Sequence, residues 1–121
     1  MAKRMWVYDP HCGGQKIPPL LQAETRERIL KHAAEIVPDK ASQLRVSFRG
    51  HFCYIDADEP DHPIPLHMCR LRYLGRFREP KAWSLAFYTY SHEKYEPSVF
   101  GSGEFEGTPE EALEIGAVYL T

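Results

Sequence analysis

The chain has few of the features that mark secreted, membrane-spanning or repeat proteins. Its 121 residues include only three cysteines, an odd number at wide spacing, which is typical of free thiols and not of a disulfide framework. No apolar run approaches the roughly 18 residues of a membrane span. Residues 1–7 are too short for a secretory signal, since Asp9 and Pro10 follow them. These absences predict a single cytoplasmic domain that has no membrane partner.

Motifs that identify common catalytic and nucleic-acid-binding classes are also missing. The sequence has no C-x-x-C-type knuckle for zinc and no RNP-type motif for RNA. Its Gly-rich segment 101–107 lacks both the Lys-[Ser/Thr] of a P-loop and the G-x-G-x-x-G spacing. The isoelectric point near 6.3 is low for a protein that binds nucleic acid through counterion release. Function must therefore be sought in a surface and not in a motif.

Hydrophobic periodicity predicts a helix, about four strands and a second helix. The first helix begins at Pro18-Pro19 and ends before Pro38, because a residue that precedes proline is driven out of the helical region. The predicted strands cover residues 44–49, 52–55, 66–74 and 82–90, with shorter extended segments at 5–8 and 97–100. This order favours one α+β domain over residues 1–121, with an antiparallel sheet that carries both helices on one face.

Both helices carry sequence signals at an end or along one side. Thr108, Pro109 and Glu111 form the pattern of a capping box, in which the glutamate stands three residues after the capping threonine. The apolar residues that follow make this last helix part of the core. The predicted apolar side of the first helix comprises Leu20, Leu21, Ile29, Leu30, Ala33, Ala34, Ile36 and Val37.

The segment of residues 83–100 concentrates the aromatic residues of the chain. Strand alternation assigns Trp83, Leu85 and Phe87 to the core beneath the helices. Tyr88 and Tyr90 then have no predicted cover. Contiguous exposed aromatic residues usually mark a binding surface, so this segment predicts a site on the uncovered sheet face and in the turn beside it.

Arginines on the neighbouring predicted strand extend this surface. Arg70 and Arg72 alternate with His67, Cys69 and Leu71, and therefore point away from that second set. The predicted binding residues are Arg70, Arg72, Trp83, Tyr88, Tyr90, His92 and Tyr95. We expect a binding or interaction module that holds a partner protein, a second copy of the chain or a small ligand.

A single-stranded nucleic-acid binder on the same face is the first alternative. Arginines beside strand-borne aromatic residues supply phosphate partners and stacking surfaces, and further basic residues follow in the next loop. These are Arg76, Arg78 and Lys81. The missing motif and the low isoelectric point make this alternative the weaker one.

A small enzyme or a zinc site is the second alternative. His92 could act as an acid or base, with Glu93 or Glu96 to orient it. The two H-x-C pairs offer a Cys₂His₂ zinc set, or a Cys–His nucleophilic pair, made from His51, Cys53, His67 and Cys69. Buried free thiols are the commoner outcome for such cysteines. We therefore predict no cofactor and no metal, and no catalytic residue is assigned.

Three segments resemble a family of small uncharacterised bacterial proteins. They are MWVYDPHCGGQKIPP at residues 5–19, WSLAFYTYSHEKYEPSVF at 83–100 and GTPEEALEIGAVYL at 107–120. The resemblance covers most of the chain, and the acidic loop after Ile55 is the place where lengths are expected to differ. It implies a free-standing bacterial protein and transfers no activity and no catalytic residue.

Overall fold

The computed structural model describes residues 14–75, 82–101 and 103–120. Within these ranges the predicted α+β architecture is confirmed. Helix α1 is Pro19–Ile36 and helix α2 is Pro109–Gly116, and short 3₁₀ turns occupy Ala41–Gln43 and Ala117–Leu120. The strands are β1 Leu44–Arg49, β2 Phe52–Ala57, β3 Leu66–Tyr73, β4 Trp83–Thr89, β5 Lys94–Ser98 and β6 Glu106–Gly107. The extended segment predicted at residues 5–8 lies outside the described residues.

The sheet is a meander that places strands which follow each other in sequence side by side. Its order is β1-β2-β3-β4-β5, every pairing is antiparallel, and β6 pairs with the start of β4. The sheet is therefore larger than the four strands predicted. The chain turns after β4 through a four-residue hairpin and re-enters the sheet at Lys94, three residues before the predicted edge. The first residues of β5 are not predicted as strand, because its lysine, glutamate and proline are all depleted in strands.

The core lies between the helices and one face of the sheet. Trp83 and Leu85 are buried there as predicted, and Phe100 is buried where residue 107 packs against its ring. A Cβ on Gly107 would lie 2.6 Å from two ring atoms of Phe100, so glycine is required for this close approach. Phe87, which was also predicted in the core, is only half-buried and stacks on Tyr119. Two of the six rings of the aromatic segment are therefore fully buried.

The predicted apolar side of α1 is too wide. The residues that enter the core are Leu21, Thr25, Ile29 and Ala33, which recur every fourth position. Leu20 is 74% exposed and Leu30 is 38% exposed, because they flank this stripe. Helix α1 therefore rests on the sheet through one narrow row of side chains.

Side-chain hydrogen bonds join the two helices, and α2 begins with the predicted capping box. Arg28 on α1 donates two hydrogen bonds to the Glu110 carboxylate, at 2.8 and 2.6 Å. The Thr108 hydroxyl accepts from the Glu111 amide at 3.1 Å, and the Thr108 amide donates to the Glu111 carboxylate at 3.0 Å. Neither helix in the described ranges is long and apolar enough to cross a membrane. Both helices lie on one side, and the opposite sheet face carries the candidate site.

Candidate binding site

A β-bulge in β3 decides which side chains reach the open sheet face. Ile55 pairs with Cys69, but the next residue, Asp56, pairs with His67, so Met68 is the extra residue. Met68 and Cys69 both lie against α2, where Gly116 leaves room for them. His67 is thereby moved to the open face. The predicted alternation, which placed His67 with Cys69, is wrong at this point because one inserted residue reverses the faces.

The bulge separates the residues of the hypothetical zinc set. Cys53 and Cys69 are fully buried on the helix side, whereas His67 faces the other way and His51 lies in the turn between β1 and β2. Within the described residues, no three His, Cys, Asp or Glu side chains converge where they could hold a metal ion. Burial raises the pKa of the Cys69 thiol to about 12 and that of Cys53 well above its usual value. Both thiols are protonated at neutral pH, so neither is an activated nucleophile.

Arg70 lies inside an aromatic sandwich on the open face. Its guanidinium carbon is 4.1 Å from the ring centroid of Phe52 and 4.7 Å from that of Tyr95. Only 7% of Arg70 is exposed. The positive charge is therefore stabilised by the negative faces of two rings. Arg70 holds β2, β3 and β5 together beneath the surface.

Arg72 is even less accessible. It is 2% exposed, and its Nε donates to the Ser84 hydroxyl at 3.2 Å. The backbone at Gly14 lies over the stem of Arg72, since a Cβ on that glycine would be 2.7 Å from Cγ of Arg72. The positive φ of Gly14, 90°, also favours glycine at this position. The structure thus places both predicted arginines in the protein body, and Arg76, Arg78 and Lys81 lie outside the described residues.

A cluster of aromatic rings covers the open face on the β4–β5 side. The ring of Tyr88 is 5.0 Å from Tyr95 and 4.8 Å from His67, and Tyr95 also contacts Tyr54 at 5.9 Å. These tilted and edge-on arrangements are the favourable ones for aromatic pairs. Burial, with the nearby Asp56 charge as a smaller cause, raises the pKa of Tyr95 far above its usual value. The polar groups in contact with these rings include the guanidinium of Arg70 on Tyr95 and the His67–Asp56 pair beside Tyr88.

His67 is oriented by a carboxylate. Its Nδ1 lies 3.2 Å from Oδ1 of Asp56, which is half-buried. Burial is the largest influence on Asp56 and raises the pKa of that carboxyl, although the hydrogen bond to His67 opposes this. An imidazole held by a carboxylate through one nitrogen presents its other nitrogen in a fixed direction.

Tyr90 replaces a missing strand partner. The pairing of β3 with β4 ends at Cys69 and Phe87, so the main chain of His67 has no partner strand on that side. The Tyr90 hydroxyl accepts from the His67 amide at 2.7 Å and donates to the His67 carbonyl at 3.2 Å. Its ring is nevertheless 46% exposed. Tyr90 is thus a fixed aromatic surface, held at its hydroxyl end.

A cleft of about 500 Å³ opens beside Tyr88 and Tyr90. We call it the tyrosine cleft. Its lining combines the end of the aromatic cluster with the loop between β2 and β3 and with the β4–β5 hairpin. The lining residues are Glu59, His62, Ile64, Pro65, Leu66, His67, Tyr88, Tyr90 and Glu93. Ile64 is 69% exposed, so the cleft has a large apolar side chain on its wall.

His92 lies on the exposed hairpin and does not line the tyrosine cleft. Its Nδ1 is 2.5 Å from Oε1 of Glu96, so Glu96, and not Glu93, orients the ring. This hydrogen bond is the main reason why the pKa of Glu96 is lowered. Glu93 instead has a φ of 53° and lines the cleft. The acid or base predicted at His92 therefore faces solvent, with 62% of its side chain exposed.

The predicted site residues thus divide into three groups. Tyr88, Tyr90 and Tyr95 come together at or next to the tyrosine cleft, Arg70, Arg72 and Trp83 are buried, and His92 is separate. The sequence placed His67 only in the hypothetical zinc or Cys–His set, and it gave no indication that Asp56 would orient it or that a loop wall would form around Ile64. The wall had one local signal, a large apolar residue between two prolines in an otherwise acidic loop. The position of His67 had none, because a bulge leaves no trace in the alternation.

Comparison with known proteins adds no family to this geometry. No family model matches the chain, and no curated protein or solved structure matches it either. The function is therefore inferred from the residues of the site.

Proposed function

We propose that this protein is a non-catalytic binding module whose ligand site is the tyrosine cleft. One observation carries the proposal: the exposed aromatic ring of Tyr90 and the exposed side chain of Ile64 line the same cleft. Small-molecule sites in proteins are concave, mostly apolar and of about 300–1,000 Å³. The tyrosine cleft, at about 500 Å³, falls within that range.

The cleft is largely pre-formed, which supports a binding role. The Tyr90 hydroxyl is held by two hydrogen bonds to the main chain of His67. Tyr88 is fixed by Tyr95 and by the Tyr119 hydroxyl, which donates to the Tyr88 carbonyl. Rings that are already ordered lose little conformational entropy when a ligand binds, so more of the contact energy is available as affinity.

We favour a small ligand over a partner protein or a second copy of the chain. A standard protein interface buries about 800 Å² on each partner. The exposed large apolar residues of the described ranges are instead spread over several elements, with Leu20 and Leu30 on α1, Val118 near the C-terminus and only Ile64 and Tyr90 at the cleft. We also place the protein in the cytoplasm of a bacterium, on the grounds of its sequence and because its buried thiols suit a reducing compartment.

A fragment screen by two-dimensional NMR tests the proposal. We expect hits with an apolar body to shift the amide signals of His67, Tyr88, Tyr90 and Glu93. Ile64→Asp should weaken these hits about tenfold, since removing a well-buried contact from a pocket costs about 1–3 kcal/mol. Leu20→Asp is the matched control, because Leu20 is equally exposed but lies on α1, and it should leave binding unchanged.

Two results would refute this function. One is the absence of any hit at the cleft in a screen that detects millimolar binding. The other is a concentration-dependent dimer in light scattering that shifts the same amide signals, since that result would assign the surface to a second copy of the chain.

A nucleic-acid function receives less support. Arg70 and Arg72 are the arginines on which it depends, and both are almost fully buried. Phosphate contacts require accessible cations, whose release of counterions makes binding depend on salt. Binding of a labelled oligonucleotide at low salt that weakens on Arg45→Ala plus Arg49→Ala, two exposed residues of β1, would restore this alternative.

An enzyme remains the second candidate because of one specific pair. His67 lines the cleft while Asp56 holds its Nδ1 at 3.2 Å, which is the arrangement of an oriented acid or base. The discriminating observation is the fate of a bound ligand. Chemical conversion of a hit by the wild type, abolished by His67→Gln without loss of binding, would favour the enzyme.

A further inference from the structure

We propose that the tyrosine cleft binds an organic cation, an ammonium or guanidinium group carried on a small apolar body. This inference rests on the proposed function, because it specifies the ligand class of the same cleft. It is drawn from the charges that line the cleft, from its aromatic surface and from an example of the same recognition elsewhere on the sheet.

The charged residues of the cleft are negative. Glu59 comes from the loop between β2 and β3, and Glu93 comes from the β4–β5 hairpin. Among the described residues that line the cleft there is no lysine and no arginine. Two carboxylates that line the same concave site from separate loops attract cations and repel anions.

These two carboxylates are only partly compensated. Glu59 lies 3.3 Å from Nε2 of His62, an exposed imidazole that is a cation only when it is protonated. Within the described part of the chain, Glu93 has no ion pair. A ligand ammonium or guanidinium group would therefore meet carboxylate charge that the protein itself has not neutralised.

The aromatic surface favours the same ligand class. Tyr88 and Tyr90 are 4.7 Å apart and edge-on, and the ring of Tyr90 is nearly half exposed. A cation within about 6 Å of such a ring is attracted by its negative face. The apolar part of the ligand can pack on Ile64 and Pro65. The cleft thus offers separate surfaces to a charged head and an apolar body.

The same sheet face already binds a cation in this way. The guanidinium of Arg70 occupies a space between the rings of Phe52 and Tyr95, at 4.1 and 4.7 Å from their centroids. That internal site is filled by the protein's own side chain. The tyrosine cleft has the aromatic rings in common with that internal site, and it adds the carboxylates of Glu59 and Glu93 at a place that is open to a ligand.

An NMR titration with three probes of nearly equal shape tests the charge requirement. The probes are phenethylamine, which is cationic at neutral pH, 2-phenylethanol, which is neutral, and 3-phenylpropionate, which is anionic. We expect phenethylamine to shift the amide signals of Tyr88, Tyr90 and Glu93. It should bind about tenfold more tightly than the alcohol, because two carboxylates at about 5 Å from the ammonium group, in water, together contribute about that much. The anionic probe should be the weakest, and raising the salt to about 1 M should remove most of the difference.

Matched variants assign the effect to the carboxylates. In the Glu59→Gln plus Glu93→Gln variant, phenethylamine and the alcohol should bind with nearly equal affinity, because the charge preference is lost. Glu27→Gln, an exposed glutamate of α1, should have no effect. Both cleft residues lie in loops, so the double variant is expected to fold, and its amide spectrum away from the cleft verifies this.

The outcomes separate this inference from the proposed function. Equal binding of the amine and the alcohol at the cleft would overturn the cation requirement and leave the binding module intact. Retention of the tenfold preference in the double variant would overturn the role of the two carboxylates. No shift from any probe at 10 mM, a concentration that reveals very weak binding, would overturn the inference, and an equally empty fragment screen would then refute the proposed function as well.

Discussion

The aromatic sandwich around Arg70 makes a prediction that can be measured as a coupling energy. The guanidinium lies 4.1 Å from the Phe52 ring and is almost fully removed from water. A desolvated cation–π contact contributes about 2 kcal/mol, whereas an exposed one contributes about 0.5–1 kcal/mol. We therefore expect Arg70 and Phe52 to be coupled by about 1.5–2 kcal/mol. A coupling energy is the appropriate quantity, because Arg70→Leu alone also removes the cost of burying a charge.

The experiment is a double-mutant cycle in urea. Arg70→Leu, Phe52→Leu and the double variant are unfolded alongside the wild type, and the coupling is the departure from additivity. With a slope of about 1–3 kcal/mol per molar urea, 2 kcal/mol corresponds to a shift of about 1 M in the midpoint. Such a shift is well above the error of the method.

The chain contains its own control pair. Arg26, an exposed residue of α1, lies 5.2 Å from the ring of Phe48. Because this contact is longer and in water, Arg26→Leu and Phe48→Leu should be coupled by about 0.5 kcal/mol or less. Equal coupling in the two cycles, or none between Arg70 and Phe52, would refute the view that Arg70 is a structural cation and would return it to the list of binding residues.

Two further predictions concern the hairpin and the buried thiols. Glu93 has a φ of 53°, which strains any residue other than glycine, so Glu93→Gly should raise stability by about 0.5–1 kcal/mol in thermal unfolding while weakening amine binding. Burial raises the pKa of Cys69 from 9.0 to about 12, so the folded state keeps this proton over a pH range in which the unfolded state loses it. The neutral thiol therefore makes its full contribution to the free energy of unfolding below pH 9, and this contribution falls by about 1.4 kcal/mol for each pH unit above that. Between pH 9 and 11, the urea midpoint of Cys69→Ala should fall less steeply than that of the wild type.

Each of these results can fail in a defined way. A destabilised Glu93→Gly protein would show that the hairpin needs the glutamate side chain for its own structure. Parallel pH profiles for the wild type and Cys69→Ala would show that the thiol does not titrate differently in the two states. Tyr90 and Tyr95 also have raised pKa values with the same sign, so the comparison with Cys69→Ala isolates the cysteine.

Local signals were sufficient for most of the architecture. The capping box at Thr108 and the alternation over residues 44–49 depend on neighbours in sequence, and the structure has both. The bulge at Met68 could not be predicted, because an inserted residue is recognised only against the partner strand. Strand β5 was predicted only as a short edge segment at 97–100, whereas it is Lys94–Ser98, because lysine, glutamate and proline are depleted in strands and hide its first half.

The candidate site was predicted in part. Tyr88 and Tyr90 were identified because an aromatic residue without a predicted cover is detectable from alternation alone. Arg70 and Arg72 were assigned to a binding surface because residues on the uncovered face of a strand were expected to be exposed. Both are buried, Arg70 between the rings of Phe52 and Tyr95 and Arg72 beneath the backbone at Gly14. The cleft wall at Ile64 depends on how a loop folds back over the sheet, which is a tertiary property.

The two outer strands of the sheet, β1 and β5, affect the tendency of the protein to aggregate at high concentration. An open sheet edge is a template for adding a strand from another chain, which leads to aggregation. At one edge, Arg26 donates to the Val46 carbonyl of β1 at 3.3 Å and so occupies a group that an incoming strand would use. At the other, β5 contains Pro97, which has no amide hydrogen, and the charged residues Lys94 and Glu96 precede it in the strand. Both features disfavour the addition of a strand at the two sheet edges that the structure describes, so a second copy would associate more readily through side chains than by extending the sheet.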